Sequence, residues 1–320
     1  MDCHRGTAGK LMSLRLSLMS VGSKLLFKSA LARIGNLIWL RRYADFITKM
    51  NAVNPKGARY EPATLTHKNH SIPVLWAHCG TPSQTQVLLY IHGGGFIFGS
   101  ADTHKHMAAD IAGQLGIKAV LPNYALAPEH IYPKGFEDVV TGYRALLDMG
   151  YKPQNIILGG DSAGGNFAFA LLAYINANAL PMPACTFTFS PLTDFMATTQ
   201  SRLENARSDC VLAAGRFEDM QQAYAPNDDL SGPYLSPINA DFKGASPVLL
   251  QASRHEVLRD DSVAMLKHLK DQGVKAELQL YDNGFHVFQI LRGLVPESNQ
   301  AISEVVDFVK RHISKGQTVT

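Results

Sequence analysis

The sequence predicts an α/β protein, a parallel sheet with helices on both faces. Three observations predict it. From about residue 86, strand-like apolar runs alternate with helical runs, the order that builds a parallel sheet with helical crossovers. The alternation lapses between about residues 191 and 245 and then resumes, so one core carries one insertion. The chain of 320 residues is 46% hydrophobic and 18% charged, which suits a globular protein with a substantial core.

The elements follow in order. Residues 11–40 are rich in Leu and Met, with scattered Lys and Arg. Leu14, Leu18, Val21 and Leu25 recur at helical spacing and predict a basic amphipathic helix. The plain expectation is that this face packs on the rest of the protein. The alternative is a helix lying transiently on a membrane surface. Arg15, Ser17, Ser20, Ser23, Lys24 and Lys28 break every run that could serve as a signal-peptide core. No run approaches the roughly 18 apolar residues of a transmembrane helix. The more regular pattern opens at Met12, which makes residues 1–11 a candidate start-site artefact.

Strands are expected at Gln86–Ile91, Lys118–Tyr124, Asn155–Gly159, Cys185–Ser190, Pro247–Ala252 and Ala276–Tyr281. Helices are expected at His104–Leu115, Gly135–Asp148, Gly164–Ala177, Ser262–Gln272 and Asn299–His312. The stretch from Pro191 to Ala245 is polar. It holds the breaker clusters Pro226-Asn227-Asp228-Asp229 and Ser231-Gly232-Pro233, so it reads as an insertion rather than sheet.

Charge and cysteines exclude several classes. The formal charge is +3, with no basic stripe of the nucleic-acid-binding kind. Cys3, Cys79, Cys185 and Cys210 match no zinc or redox spacing. Cys185 sits in an apolar run and reads as a small buried hydrophobe. The cysteine usage makes the cytoplasm the expected compartment.

The chemistry concentrates in a few segments. Gly160-Asp161-Ser162-Ala163-Gly164 follows one expected strand and opens the next helix, the setting of a nucleophile elbow. Glycines at 160 and 164 fit there because the flanking segments pass too closely for a Cβ. Ala163 then offers its backbone N–H at the helix N-terminus, beside the Ser162 hydroxyl. His92-Gly93-Gly94-Gly95 follows the first expected strand. Its consecutive glycines can aim amides at a developing oxyanion. A Walker phosphate loop would need Gly-Lys-Ser/Thr, and Gly95-Phe96-Ile97 does not supply it. His92 itself reads as a residue that shapes the loop.

A serine hydroxyl needs a base. Of twelve histidines, His286 is favoured because it directly follows a strand end, where functional groups of such sheets collect. His104, His106, His268 and His312 fall in helical segments and are expected on the surface. His130 lies in a Pro-flanked turn, and His255 is the strongest competitor. The acid is expected after Pro247–Ala252, where Glu256, Asp260 and Asp261 all qualify. Glu256 is nearest the strand end, whereas Asp260 and Asp261 suit the start of the next helix.

With these residues placed, the chain resembles the hormone-sensitive-lipase-like (bacterial family IV) esterases. The likeness spans most of the chain from about residue 60. It rests on His92–Gly95, on Tyr124-Ala125-Leu126-Ala127-Pro128-Glu129-His130, on Gly160–Asn166 and on Glu256–Asp260. The resemblance implies an α/β-hydrolase fold: a central, mostly parallel eight-stranded sheet with helices on both faces and a helical cap. The cap would come from residues 1–60 and 191–244, and the core from 61–190 and 245–320. It also implies a serine carboxylesterase acting on short-to-medium acyl-chain esters. Ser162 would be the nucleophile, Glu256 the acid and His286 the base. Gly93, Gly94, Gly95 and Ala163 would form the oxyanion hole. No metal or organic cofactor is implied. The implied partner is a small-molecule ester, not a nucleic acid, and a homodimer is implied because the family often dimerises.

Two positions depart from the family pattern. Glu256-Val257-Leu258 stands where Asp-Pro-Leu is usual, and Ala125 where Arg is frequent. An amidase or arylformamidase on the same triad is the competing enzyme. A non-catalytic receptor of this fold would lack the histidine that His286 supplies. Phe195, Met196 and Phe217 are candidates to line the pocket from the lid.

Overall fold

The structure, a computed structural model, describes residues 12–33, 35–50, 53–196 and 199–313. The reading of residues 1–11 as a start-site artefact lies outside the described residues.

Eight strands form one sheet in the order β1-β2-β4-β3-β5-β6-β7-β8. They are β1 (Ala58–His67), β2 (His70–Cys79), β3 (Val87–Ile91), β4 (Lys118–Pro122), β5 (Ile156–Asp161), β6 (Cys185–Phe189), β7 (Val248–Ser253) and β8 (Ala276–Tyr281). β1 pairs antiparallel with β2, and β2 with β4; every other pair is parallel. The sequence pattern placed strands within a residue or two of β3–β8 and placed none at β1 or β2. For β1 the physical reason is exposure. β1 is an edge strand with one buried residue, Leu65, so it carries no hydrophobic run to read.

Helices α4 (Ala101–Leu115) and α10 (Pro296–His312) cover one face. Helices α5 (Lys134–Asp148), α6 (Ala163–Ala177) and α9 (Arg259–Asp271) cover the other. The side chains of β3 alternate between the two cores. Leu88 and Tyr90 face α4, while Val87, Leu89 and Ile91 face the α5–α6 side. Burial of each such large side chain is worth about 1.5–3 kcal/mol.

The insertion carries no strand among its described residues. It holds α7 (Gln200–Glu204) and α8 (Phe217–Tyr224). The N-terminal segment forms α1 (Leu14–Ser23), a π turn at Lys24–Lys28, α2 (Ser29–Arg33) and α3 (Leu37–Met50). Ser13 caps α1 by accepting from the Leu16 amide at 3.2 Å. Ser13 is anchored in turn: its amide and hydroxyl donate to Glu297 of α10 at 2.7 and 2.9 Å. The expected stripe of α1 does not pack inward. Leu14, Leu18, Val21 and Leu25 are exposed, and Leu16 is the buried residue. No helix of the described residues is long and apolar enough to cross a membrane.

Candidate active site

The chain turns from one side of the sheet to the other between β3 and β5. In open α/β sheets, ligands bind beyond the strand ends at such a switch point. Ser162 follows β5 directly, with φ 53° and ψ −118°, far from the ordinary regions of an L-residue. The surroundings hold this strained turn. Its amide donates to Phe189 O at 2.8 Å, and its carbonyl accepts from the Asn166 amide at 3.0 Å. A Cβ on Gly164 would lie 2.1 Å from Ile91 O and 2.5 Å from His92 O. A glycine is therefore required where α6 starts against the end of β3.

Three side chains from three strand ends meet here. Ser162 Oγ lies 3.0 Å from His286 Nε2. His286 Nδ1 lies 2.9 Å from Glu256 Oε2. Glu256 is fully buried and His286 almost so. The other carboxylate oxygen of Glu256 accepts from the Ser253 amide at 3.0 Å. Asn205 donates to the carbonyls of Glu256 and Arg254 at 2.9 and 3.0 Å. Asp209 accepts from the Val257 amide at 2.9 Å. Burial alone would lower the His286 pKa. The Glu256 hydrogen bond and charge, helped by Asp209 and Asp161, outweigh it and raise the pKa above 6.5. Such an array can take a proton from a serine hydroxyl and hold the resulting imidazolium.

The other candidates go elsewhere. Asp260 and Asp261 lie in the first turn of α9, which begins at Arg259, three residues before the expected start. Asp260 accepts from the Ser201 amide at 2.8 Å. Asp261 accepts from the amides of Thr193 and Asp194 at 3.0 and 3.3 Å. Both carboxylates therefore tie the insertion to the core. His255 and His130 are exposed.

The glycine loop sits opposite the serine. Gly93, Gly94, Gly95 and Ala163 line the same cavity as Ser162 and His286. Gly94 has φ 123°, and a Cβ there would lie 2.0 Å from Phe98 O. His92 stacks on Tyr124 at 4.2 Å, and its Nδ1 donates to Gly93 O at 2.8 Å. Burial, with the charge of His104 added, drives the His92 pKa down to about 3, so the ring is neutral and braces the loop.

His104 corrects the sequence reading. It is not on the surface but buried, with Nε2 at 3.3 Å from Asp161 Oδ2. Tyr90 donates to the other oxygen of Asp161 at 2.8 Å. Burial opposes charge on both partners, but their attraction prevails: the His104 pKa is raised and the Asp161 pKa lowered. A signal was present. His104, Ala108, Ile111 and Ala112 share one helix face, and that face is the core face. His106, His268 and His312 are half-buried rather than exposed.

The cavity measures about 470 Å³ and is mainly apolar. Its roof is made by α1, the π turn that follows it, α3 and α8, with Phe27, Leu40, Phe217 and Met220 among the lining residues. Of the expected lid residues, Phe217 lines it. Phe195 is buried against Phe96 and Tyr224, and Met196 points to solvent. Arg41 of α3 fastens the roof to the glycine loop. Its Nε donates to Ile97 O at 2.8 Å, and its fork grips both oxygens of Glu129. At Ala125, the neighbouring Asp138 accepts from the Ala125 amide at 2.8 Å and from Lys134 Nζ at 2.8 Å. A lysine one turn away thus supplies a local cation.

Comparison with known proteins agrees with this architecture. The family model described as the α/β-hydrolase fold matches residues 88–290. An esterase of Acinetobacter venetianus is 34% identical over 71% of this chain and 75% of its own. An ethyl acetate hydrolase of Pseudomonas putida is 28% identical over 71% of this chain and 73% of its own. A crystal structure of an esterase from the bacterial hormone-sensitive lipase family superposes with a TM-score of 0.89 at 31% identity. It covers 95% of this chain and 100% of that one. EstE5 soaked with p-nitrophenyl butyrate gives 0.86 at 31% identity, covering 94% and 99%.

Proposed function

The chain belongs to the hormone-sensitive-lipase-like (bacterial family IV) esterases of the α/β-hydrolase fold and is a serine carboxylesterase, and from that premise we propose that Ser162, His286 and Glu256 hydrolyse short-to-medium acyl-chain esters through an acyl-enzyme. The observation that carries the reading is the hydrogen-bonded series from Ser162 Oγ to His286 to Glu256, at 3.0 and 2.9 Å, on the floor of an apolar cavity.

The geometry supports the following steps. His286 Nε2 takes the Ser162 proton as Oγ attacks the ester carbonyl. Glu256 holds Nδ1–H and stabilises the imidazolium that forms. The amides of Gly93, Gly94 or Gly95 and of Ala163 receive the negative oxygen. His286 then protonates the leaving alcohol. A water, deprotonated by the same imidazole, releases the acid and restores Ser162. The apolar lining favours an acyl chain over a charged group, and the limited volume favours chains of modest length.

A p-nitrophenyl ester series from two to sixteen carbons tests the substrate class. We expect kcat/KM to peak at short-to-medium chains and Ser162→Ala to lose about 10⁶-fold. A peak at the longest chains would refute the acyl preference. Faster turnover of matched amides than of esters would reassign the physiological reaction.

A further inference from the structure

The apolar side chains of the N-terminal helices divide into two sets. One faces the protein: Leu16 is buried, and Met19, Phe27 and Leu40 line the cavity or its margin. The other faces away from it. Leu14, Val21 and Leu25 on the first helical stretch and Trp39 and Phe46 on α3 are each more than half exposed. A single exposed leucine needs no explanation. A helix face of them, at the spacing that normally marks burial, does.

Two observations identify the occupant. First, Leu18, Leu26 and Met50 are exposed and also line the catalytic cavity. The outward apolar surface and the cavity therefore share a rim. Second, residues 12–50 hold seven Lys and Arg and one acid, Asp45. That is a formal charge of +6 within a chain of +3, so the rest of the protein is net negative. Arg15, Arg33 and Arg42 are exposed, without an ion-pair partner among the described residues. Leucine and tryptophan beside unpaired arginines is the composition of a helix that lies in a lipid headgroup layer. A second copy docked symmetrically would set these cations against their equals.

We propose that the exposed face of α1 and α3 docks the protein on an anionic lipid bilayer, with the mouth of the catalytic cavity turned toward the lipid. The apolar side chains enter the interface and the arginines meet lipid phosphates. An ester partitioned into the bilayer then reaches Ser162 past Leu18, Leu26 and Met50 without crossing bulk water, a consequence that rests on the esterase reading.

The test is sedimentation of the full chain with phosphatidylglycerol-containing vesicles and with pure phosphatidylcholine vesicles. We expect at least about tenfold more protein with the anionic vesicles, and release in about 0.5 M NaCl. The variant Leu14→Ser/Leu25→Ser/Trp39→Ser changes no cavity-lining residue. It is expected to lose sedimentation while hydrolysing soluble p-nitrophenyl acetate at the wild-type rate. Should it fail to fold, Arg15→Glu/Arg42→Glu replaces it, with the same expectation. Equal sedimentation on neutral vesicles, none on anionic ones, or a folded variant that binds like wild type would overturn the proposal. So would a wild-type dimer that either variant splits. Vesicle binding without ester hydrolysis would instead count against the esterase reading alone.

Discussion

His104 Nε2 lies 3.3 Å from Asp161 Oδ2, immediately before the serine and behind the glycine loop. The Gly93 backbone passes so close that a Cβ there would sit 2.1 Å from the same oxygen. The buried ion pair is therefore a wall of the loop, and its geometry sets where the loop amides point. We expect His104→Gln to lower kcat about tenfold or more, with KM little changed, because misplaced donors cost rate. The neighbouring Lys105→Gln should leave both unchanged. Steady-state kinetics decide it; an unaltered kcat in His104→Gln would make the pair purely structural.

Glu256 and the two aspartates beside it separate by contact: Glu256 bonds His286, while Asp260 and Asp261 bond the insertion. Glu256→Gln removes the charge that favours the imidazolium and should cost several orders of magnitude in kcat, by analogy with the ~10⁴-fold loss for a triad aspartate. Asp260→Asn and Asp261→Asn loosen the hold on the insertion and should cost far less. Ranking the three by kcat/KM checks the assignment.

The acid limb of activity should lie above pH 6.5. Glu256 raises the His286 pKa, and the protonated imidazole cannot act as a base. Activity is thus full above the raised value and falls as pH drops through it. Glu256→Gln should move the limb to lower pH. A kcat/KM profile between pH 5 and 9 measures both.

Gly164→Ala tests the close approach at the elbow. Its Cβ would meet backbone oxygens of residues 91 and 92, at 2.1 and 2.5 Å, and neither can swing aside as a side chain could. A loss of several kcal/mol in stability, or no folded protein, is expected. Ala163→Gly next to it should be far milder. Thermal unfolding of the two variants compares them directly.

Asp261 links stability to pH. Burial pushes its carboxyl up to about 6, only partly relieved by Arg202 and two amides, and its Oδ2 has no hydrogen-bond partner. The unfolded value is near 3.8. The folded state therefore binds this proton more tightly. Its contribution is fully present below about pH 4 and is lost as pH rises through about 6, a swing on the order of 3 kcal/mol. Asp261→Asn has no such proton. Melting curves should show the variant losing ground to wild type as pH falls from 7.5 to 5.

Some of this was legible because it is local. The alternation of apolar strands and helices marked β3–β8. Ser162 announced itself through glycines spaced for a turn that admits no Cβ, and His286 through its place after a strand. β1 was illegible because an exposed edge strand carries no hydrophobic run; β2 does bury Ile72, Val74 and Ala77, but Pro73 interrupts its apolar run. His104 is not legible from helical spacing alone, because burial depends on which face of α4 it shares, and it shares the buried one with Ala108, Ile111 and Ala112.

By itself, the sequence determined the fold class, the family, and the residue types that could do acyl transfer. These depend on patterns a few residues long and on motifs in order. Position and resemblance favour Glu256 over Asp260 and Asp261, but only the tertiary structure puts its carboxylate 2.9 Å from His286 Nδ1 while the two aspartates bond the insertion. The three lie within six residues, and which carboxylate reaches His286 depends on where β7 and β8 end relative to each other. The structure likewise decided that the leucine stripe of α1 faces outward. Periodicity places residues on one side of a helix, but only the packing of that helix against the cavity decides which side is buried.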